Sequence, residues 1–144
     1  MSASLGGAHM ALFQWREDYS VKIPSIDVQH KRLVEMLNQL NDGMASGTGH
    51  AQLATLLDGL VDYTAKHFAY EEKLFAQHAF PGSAEHTAEH ARLVEQVLDF
   101  KRRFEAGQAS INMQLMKFLK DWLINHILGS DKGYSAHLVE RGVK

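Results

Sequence analysis

Apolar residues recur at steps of three and four along most of this chain, which is the spacing of amphipathic helices, and no segment shows the strict alternation of a strand. The only two prolines, Pro24 and Pro81, stand where such periodic segments begin, so long stretches remain free to be helical. The pattern predicts four long helices and a short terminal helix. Their approximate bounds are 25–43, 51–77, 83–106, 110–129 and 132–141.

Each predicted long helix carries one mostly apolar face and is flanked by residues that start or stop helices. Ser83 and Ser110 suit N-capping, and Gly43 and Gly129 suit a helix end. Because the connections are short, the helices should form an antiparallel up-down-up-down four-helix bundle. We thus predict an all-α fold with an N-terminal arm before the bundle and a short C-terminal helix after it. The inner face of the fourth helix is predicted to comprise Ile111, Leu115, Phe118, Trp122 and His126.

Five histidines and one glutamate occupy inner-face positions where leucine is usual. Residues four apart on a helix are separated by only about 40° and roughly 6 Å of rise, so both side chains can reach one metal ion or one metal pair. Burying these groups without partners would cost several kcal/mol. Antiparallel packing would bring all of them to the same end of the bundle. They are His30, the pair His67 and Glu71, the pair His86 and His90, and His126.

Asp131 follows His126 by five residues, a step that rotates a side chain by about 140° on an ideal helix. The Gly129-Ser130 break before it would let the chain turn and bring the carboxylate back inward. Neutral imidazole nitrogen and carboxylate oxygen suit a borderline transition metal such as iron. Seven such ligands are too many for one tetrahedral zinc ion. The count therefore predicts two metal ions that share the carboxylates.

Each of these residues also has an ordinary structural interpretation. A lone His-x-x-x-His pair often occurs by chance, and a lone histidine on an apolar face is more often a hydrogen-bonded core residue than a ligand. The combination favours ligands, because every member lies on an inner face at one end of the bundle. We interpret His50, His78 and His137 as ordinary polar positions and Glu72 as solvated. A set of apolar residues is assigned first of all to the core, namely Leu33, Phe68, Trp122, Leu123 and Leu128.

Composition excludes several classes of function. The formal net charge of -2 leaves no basic field to gather phosphates, so we expect neither nucleic acid nor an anionic membrane as a partner. Cysteine is absent, which rules out disulfides, thiolate metal sites and iron–sulfur clusters. No apolar run approaches the roughly 20 residues of a membrane span. We expect one cytoplasmic domain over residues 11–144, with residues 1–10 as an expression leader.

Four segments carry the candidate ligands: Ile26-Asp-Val-Gln-His30-Lys, His67-Phe-Ala-Tyr-Glu71-Glu72, His86-Thr-Ala-Glu-His90 and His126-Ile-Leu-Gly-Ser-Asp131-Lys-Gly-Tyr134. Together they resemble the hemerythrins, and more closely the single-domain bacteriohemerythrins. The resemblance covers about residues 11–140 and includes Trp15 in the N-terminal arm. Each of the seven family ligands has a matching position.

This resemblance implies a four-helix bundle around a non-haem di-iron centre that binds O2 reversibly, for oxygen storage or delivery. The implied ligands of a coordinatively saturated iron are His86, His90 and His126. Those of the other iron, which keeps an open position, are His30 and His67. The implied bridges, beside an oxo or hydroxo group, are Glu71 and Asp131. The O2 pocket would be lined by Leu33, Phe68, Trp122, Leu123 and Leu128.

Two other functions compete with O2 carriage. The same centre could act as an O2 or redox sensor read by a signalling domain, or as a peroxidase-like or metal-oxidising enzyme. Oxygen-activating di-iron bundles are rich in glutamate and use Glu-x-x-His pairs, and no such pair occurs here. The sequence also indicates no acid or base in the pocket. We therefore expect a carrier without enzymatic activity, whose partner, an oxygen-consuming enzyme or a signalling protein, the sequence does not identify.

Overall fold

The computed structural model describes residues 13–126 and 131–144, and within these ranges it is helical and contains no strand. The helices are α1 Pro24–Ala45, α2 His50–Gln77, α3 Ser83–Glu105, α4 Met113–Asn125 and α5 Lys132–Glu140. The predicted fold class is confirmed. The expected leader, residues 1–10, lies outside the described residues. Helix α1 packs against α2 and α4, and α2 packs against α3, so the four long helices lie side by side in the bundle.

The end of α1 differs from the prediction, because Gly43 does not stop the helix. A Cβ atom at this position would lie 3.1 Å from Leu53 Cδ2 and 3.3 Å from Leu56 Cδ1 on α2. Glycine therefore permits a close approach of the two helices, and α1 continues to Ala45. The left-handed backbone that follows the helix is supplied by Gly47, with φ of 73°.

The two predicted N-caps are also corrected. Ser83 is the first helical residue of α3, whereas Gly82 occupies the capping position. Helix α4 starts after Asn112 rather than at Ser110, because the Asn112 side-chain oxygen accepts a hydrogen bond from Leu115 N at 3.0 Å. The predicted helix end near Gly129 lies outside the described residues.

The N-terminal arm is fixed against α1 by polar and aromatic contacts. Phe13 N donates to Asn38 Oδ1 at 3.0 Å, and Asn38 Nδ2 donates back to Phe13 O at 2.8 Å. The ammonium group of Lys31 lies 5.3 Å from the centre of the Trp15 ring. The arm therefore covers one flank of the bundle and adds aromatic side chains to its core.

Two separate clusters of buried apolar side chains form the core. The larger cluster includes Leu37, Leu57 and Leu123. The smaller cluster, to which α5 contributes, includes Phe75 and Tyr134. The predicted inner position of Phe118 is wrong, since its side chain is 48% exposed. The buried stripe of α4 instead runs through residues 116, 119 and 123, and position 118 is rotated by about 100° from its neighbour 119.

Within residues 13–126 and 131–144, no helix combines the length and the apolarity that crossing a membrane requires.

Candidate metal centre

All seven predicted ligand residues are buried and meet at one end of the bundle, as the antiparallel packing required. The most accessible of them, His86, is only 6% exposed. His126 and Asp131 both have π-helical backbone, and the Asp131 carboxylate lies beside the His126 imidazole, with Oδ1 2.9 Å from Nε2. The predicted break at Gly129-Ser130 lies outside the described residues. The seven come from α1 (His30), α2 (His67, Glu71), α3 (His86, His90) and the chain between α4 and α5 (His126, Asp131).

These residues fall into two overlapping groups, in each of which the candidate ligand atoms lie within 4.8 Å of one another. Glu71 and Asp131 belong to both groups. We call the first group, with three imidazoles, the three-histidine position, and the second the two-histidine position. The three-histidine position comprises Glu71, His86, His90, His126 and Asp131. The two-histidine position comprises His30, His67, Glu71 and Asp131.

The two oxygens of Asp131 face different groups of histidines. Its Oδ1 atom lies 3.0 Å from His86 Nε2 and 2.9 Å from His126 Nε2, whereas its Oδ2 atom lies 2.8 Å from His30 Nε2. One oxygen therefore serves each position. This arrangement suits a carboxylate that bridges two cations, with one oxygen bound to each cation.

Glu71 divides its oxygens in the same way. Its Oε1 atom lies 3.1 Å from His90 Nε2 and 3.8 Å from His126 Nε2. Its Oε2 atom lies 3.5 Å from His67 Nε2 and 3.7 Å from His30 Nε2. Both carboxylates thus stand between the two sets of imidazoles.

Many of these inward atoms lack a hydrogen bond despite their proximity. His30 Nε2 and Asp131 Oδ2 are 2.8 Å apart, yet neither atom has a hydrogen bond of acceptable geometry among the described residues. Unpaired buried polar atoms are costly, and so many in one place are unusual unless a cation satisfies them. The donor set therefore fits a metal site. The inward-facing atoms of the cluster without a hydrogen bond among the described residues are Nε2 of His30, His67, His90 and His126, Oε1 of Glu71 and Oδ2 of Asp131.

The outward Nδ1 atoms of three of these histidines meet oxygen acceptors. An Nδ1–H group that donates to such an oxygen leaves the Nε2 lone pair free to bind a metal. The sequence did not indicate these partners, because each one lies on a different helix from its histidine. The pairs are His67 Nδ1 with Gln29 Oε1 at 2.6 Å, His90 Nδ1 with Glu72 Oε2 at 2.8 Å, and His126 Nδ1 with Glu89 Oε1 at 3.2 Å.

The expectation that Glu72 is solvated is therefore incomplete. Its side chain is 34% exposed and bonds to His90 across the α2–α3 interface. The angle of about 100° between Glu71 and Glu72 does turn Glu72 away from the centre. It also turns Glu72 toward the neighbouring helix, where the partly exposed carboxylate reaches His90.

Tyr134 is a further residue that the sequence reasoning did not assign to the site. Its side chain is fully buried, and its hydroxyl donates a short hydrogen bond to Glu71 Oε2. Tyr134 lies one helical turn beyond Asp131, and this spacing was a signal that it shares a face with that carboxylate. Helix α5 therefore contacts Glu71 and begins directly after Asp131.

Aromatic side chains flank the centre on two sides. The Phe68 ring stacks on His90 with centroids 3.8 Å apart, and lies 5.1 Å from the His126 ring. On the other side, the Phe75 ring lies 4.9 Å from that of His86. Of the predicted pocket residues, four are buried in the larger core cluster, and Leu128 lies outside the described residues. The four are Leu33, Phe68, Trp122 and Leu123.

The other histidines of the described ranges stand apart from the centre. His50 is exposed and stacks on Phe104, with ring centroids 4.3 Å apart. His137 Nε2 donates to the backbone oxygen of His78 at 2.7 Å. These contacts agree with the interpretation of His50, His78 and His137 as ordinary polar positions.

The charges of the metal-free cluster depend on one another. Burial alone would lower the pKa of His30, but the adjacent carboxylates of Asp131 and Glu71 outweigh it and raise the pKa to about 9. Burial would also lower the pKa of His126, but the same two carboxylates raise it well above its ordinary value. Burial lowers the pKa of His67 to about 4. Protons on His30 and His126 thus compensate the carboxylates when no cation is present.

Metal affinity should consequently rise with pH. An imidazole binds a cation only in its neutral form, so loading must displace the His30 proton, which is held up to a pH of about 9. We expect the apparent affinity to increase between pH 6.5 and 9, by up to about tenfold per pH unit for each proton displaced. Chelator competition across this pH range measures the effect. An affinity that is constant across the range would contradict it.

The family model of the Hemerythrin HHE cation binding domain matches residues 21–138. The chain belongs to the hemerythrin family. The match contains all seven buried residues of the centre. The predicted resemblance is confirmed, and the description of the domain as cation-binding agrees with the fit of this donor set to a metal.

Individual hemerythrin relatives support the same assignment. The chain is 39% identical over 133 residues to a bacteriohemerythrin of Stenotrophomonas maltophilia, covering 90% of this chain and 86% of the relative. It is 40% identical over 125 residues to a bacteriohemerythrin of Pseudomonas aeruginosa, covering 87% and 80%. The crystal structure of a wild-type hemerythrin superposes with a TM-score of 0.84 at 36% identity, covering 89% of this chain and 98% of that one.

Proposed function

We propose that this protein binds O2 reversibly at a non-haem di-iron centre, for oxygen storage or delivery. One observation carries the proposal. Each of the two shared carboxylates directs one oxygen toward the first set of imidazoles and the other oxygen toward the second set. Membership of the hemerythrin family supports iron as the cation. Imidazole and carboxylate are suitable iron ligands, and cysteine is absent.

The two positions would hold one iron each. The three-histidine position offers five protein ligands and the two-histidine position four, so the second iron keeps more room for an exogenous ligand. Glu71 and Asp131 would bridge the two irons, together with an oxo or hydroxo group. The hydrogen bond from Tyr134 would fix the orientation of the Glu71 carboxylate.

When bound, the iron pair would supply the electrons for reversible O2 binding. The side chains around it would then protect the centre. Leu33, Phe68, Trp122 and Leu123 are at most 7% exposed, and none carries an ionisable group. Such an apolar wall would exclude water from the centre and would bring no side-chain acid to it. Leu128, which the resemblance places in the same wall, is outside the described residues.

An O2 or redox sensor is the second candidate, and one contact favours it. Helix α5 begins directly after Asp131, and its Tyr134 donates to Glu71, so both shared carboxylates are linked to this helix. A change at the centre could therefore move α5 and be read by a partner. Hydrogen exchange of α5 with and without O2 separates the two candidates. A carrier should show the same protection in both states, and a sensor should not.

Purified protein should contain two iron ions per chain after expression with sufficient iron. The physical reason is that two groups of ligands, sharing two carboxylates, can satisfy two near-octahedral ions but exceed the needs of one tetrahedral ion. Elemental analysis against protein concentration measures the ratio. A single zinc ion per chain would contradict the di-iron proposal.

A further inference from the structure

The outward sides of the candidate ligand histidines differ between the two positions. In the three-histidine position, His90 and His126 each donate from Nδ1 to a carboxylate, at 2.8 Å to Glu72 and 3.2 Å to Glu89. These two carboxylates belong to neither ligand group. We call Glu72 and Glu89 the outer carboxylates.

The two-histidine position has no corresponding charge among the described residues. His67 Nδ1 meets the neutral side chain of Gln29 at 2.6 Å. His30 Nδ1 is buried and has no hydrogen-bond partner within residues 13–126 and 131–144. A carboxylate partner makes an imidazole a more basic and therefore stronger ligand, whereas an amide accepts the same hydrogen bond without a negative charge.

From this asymmetry we propose that the outer carboxylates make the two cation positions unequal, so that the three-histidine position holds its ion more tightly and empties last. The inference rests on the proposed di-iron function and states which of its two ions is bound more tightly. Glu72 and Glu89 act through His90 and His126 and are tuning residues rather than ligands. Their side chains are 34% and 30% exposed, so a change to glutamine leaves the core packing in place.

The test is a stepwise release of iron from the full chain. Protein loaded with iron(II) is equilibrated under argon with increasing concentrations of a chelator, and the iron retained per chain is measured. The parent should lose its two ions in two steps. In Glu72→Gln and Glu89→Gln, the second step should move to a chelator concentration lower by about 10- to 100-fold, while the first step moves less.

Two further variants make the result specific. Glu85→Gln removes the same charge from an exposed position one residue before His86, and it should leave both steps unchanged. Gln29→Glu places a carboxylate behind His67, and it should move the first step to a higher chelator concentration. Helical circular dichroism equal to that of the parent shows that each variant is folded.

The outcomes distinguish this inference from the function on which it rests. A parental second step in both outer-carboxylate variants, or an equal shift in Glu85→Gln, would overturn the inference while leaving two irons per chain. A parent that holds only one ion per chain would overturn the proposed di-iron function itself.

Discussion

Removing iron from this protein should lower its melting temperature by about 10 °C or more. Without cations, the inward atoms of seven buried residues face one another with few hydrogen bonds, and protonation of His30 and His126 compensates only part of this cost. A cation that binds only the folded state at 1,000 times its dissociation constant contributes about 4 kcal/mol. For a chain of this size, each kcal/mol shifts the melting temperature by roughly 2–4 °C.

Differential scanning calorimetry of iron-loaded and chelator-treated protein measures this difference. Re-addition of iron(II) under argon serves as the control. It should restore the original transition, because the cations again satisfy the buried ligand atoms. Equal melting temperatures in the two forms would show that the buried cluster is stable without a cation, contrary to the metal-site interpretation.

Glu71→Gln should cause one of the two largest losses of iron among single conservative changes. Glu71 belongs to both ligand groups, so its replacement removes one ligand from each position and the negative charge that both cations share. The amide keeps the size of the side chain and can still accept the hydrogen bond from Tyr134. Losing an outer partner of a single ligand already lowers metal affinity by about 10- to 100-fold, so for a ligand shared by both positions we expect less than about a tenth of the parental iron after purification.

Matched controls separate a ligand from a merely neighbouring residue. His78→Ala, a change in a histidine outside the cluster, should retain two irons per chain, as should His50→Ala. Asp131→Asn, which alters the other shared carboxylate, should resemble Glu71→Gln. Loss of iron in His78→Ala, or full retention in Glu71→Gln, would show that the assigned ligands are wrong.

The inner faces of the helices were predictable because burial and ligand chemistry act on the same periodic positions. His67 and Glu71 are one turn apart on α2, and their spacing alone placed them together. The direction of the chain then brought His30 to the same level, since α1 and α2 run antiparallel. These are consequences of local geometry and short connections, and the sequence contains both.

The contacts between helices were not predictable in the same way. Glu72 and Glu89 bond to histidines on other helices, and the pairing depends on the rotation of each helix about its axis. If a helix were rotated by about 100°, the step between adjacent residues, a carboxylate that contacts a ligand histidine would instead face solvent. Phe118 shows the reverse error, because an apolar residue beside the buried stripe remains exposed.

The optical spectrum of iron-loaded protein, cycled between argon and air, tests the central claim most directly. Reversible O2 binding at a di-iron centre predicts a new absorption band in air that disappears under argon, with the original spectrum restored over repeated cycles and two irons retained per chain. A change in air that argon does not reverse within the same experiment would contradict O2 carriage and favour sensing or catalysis.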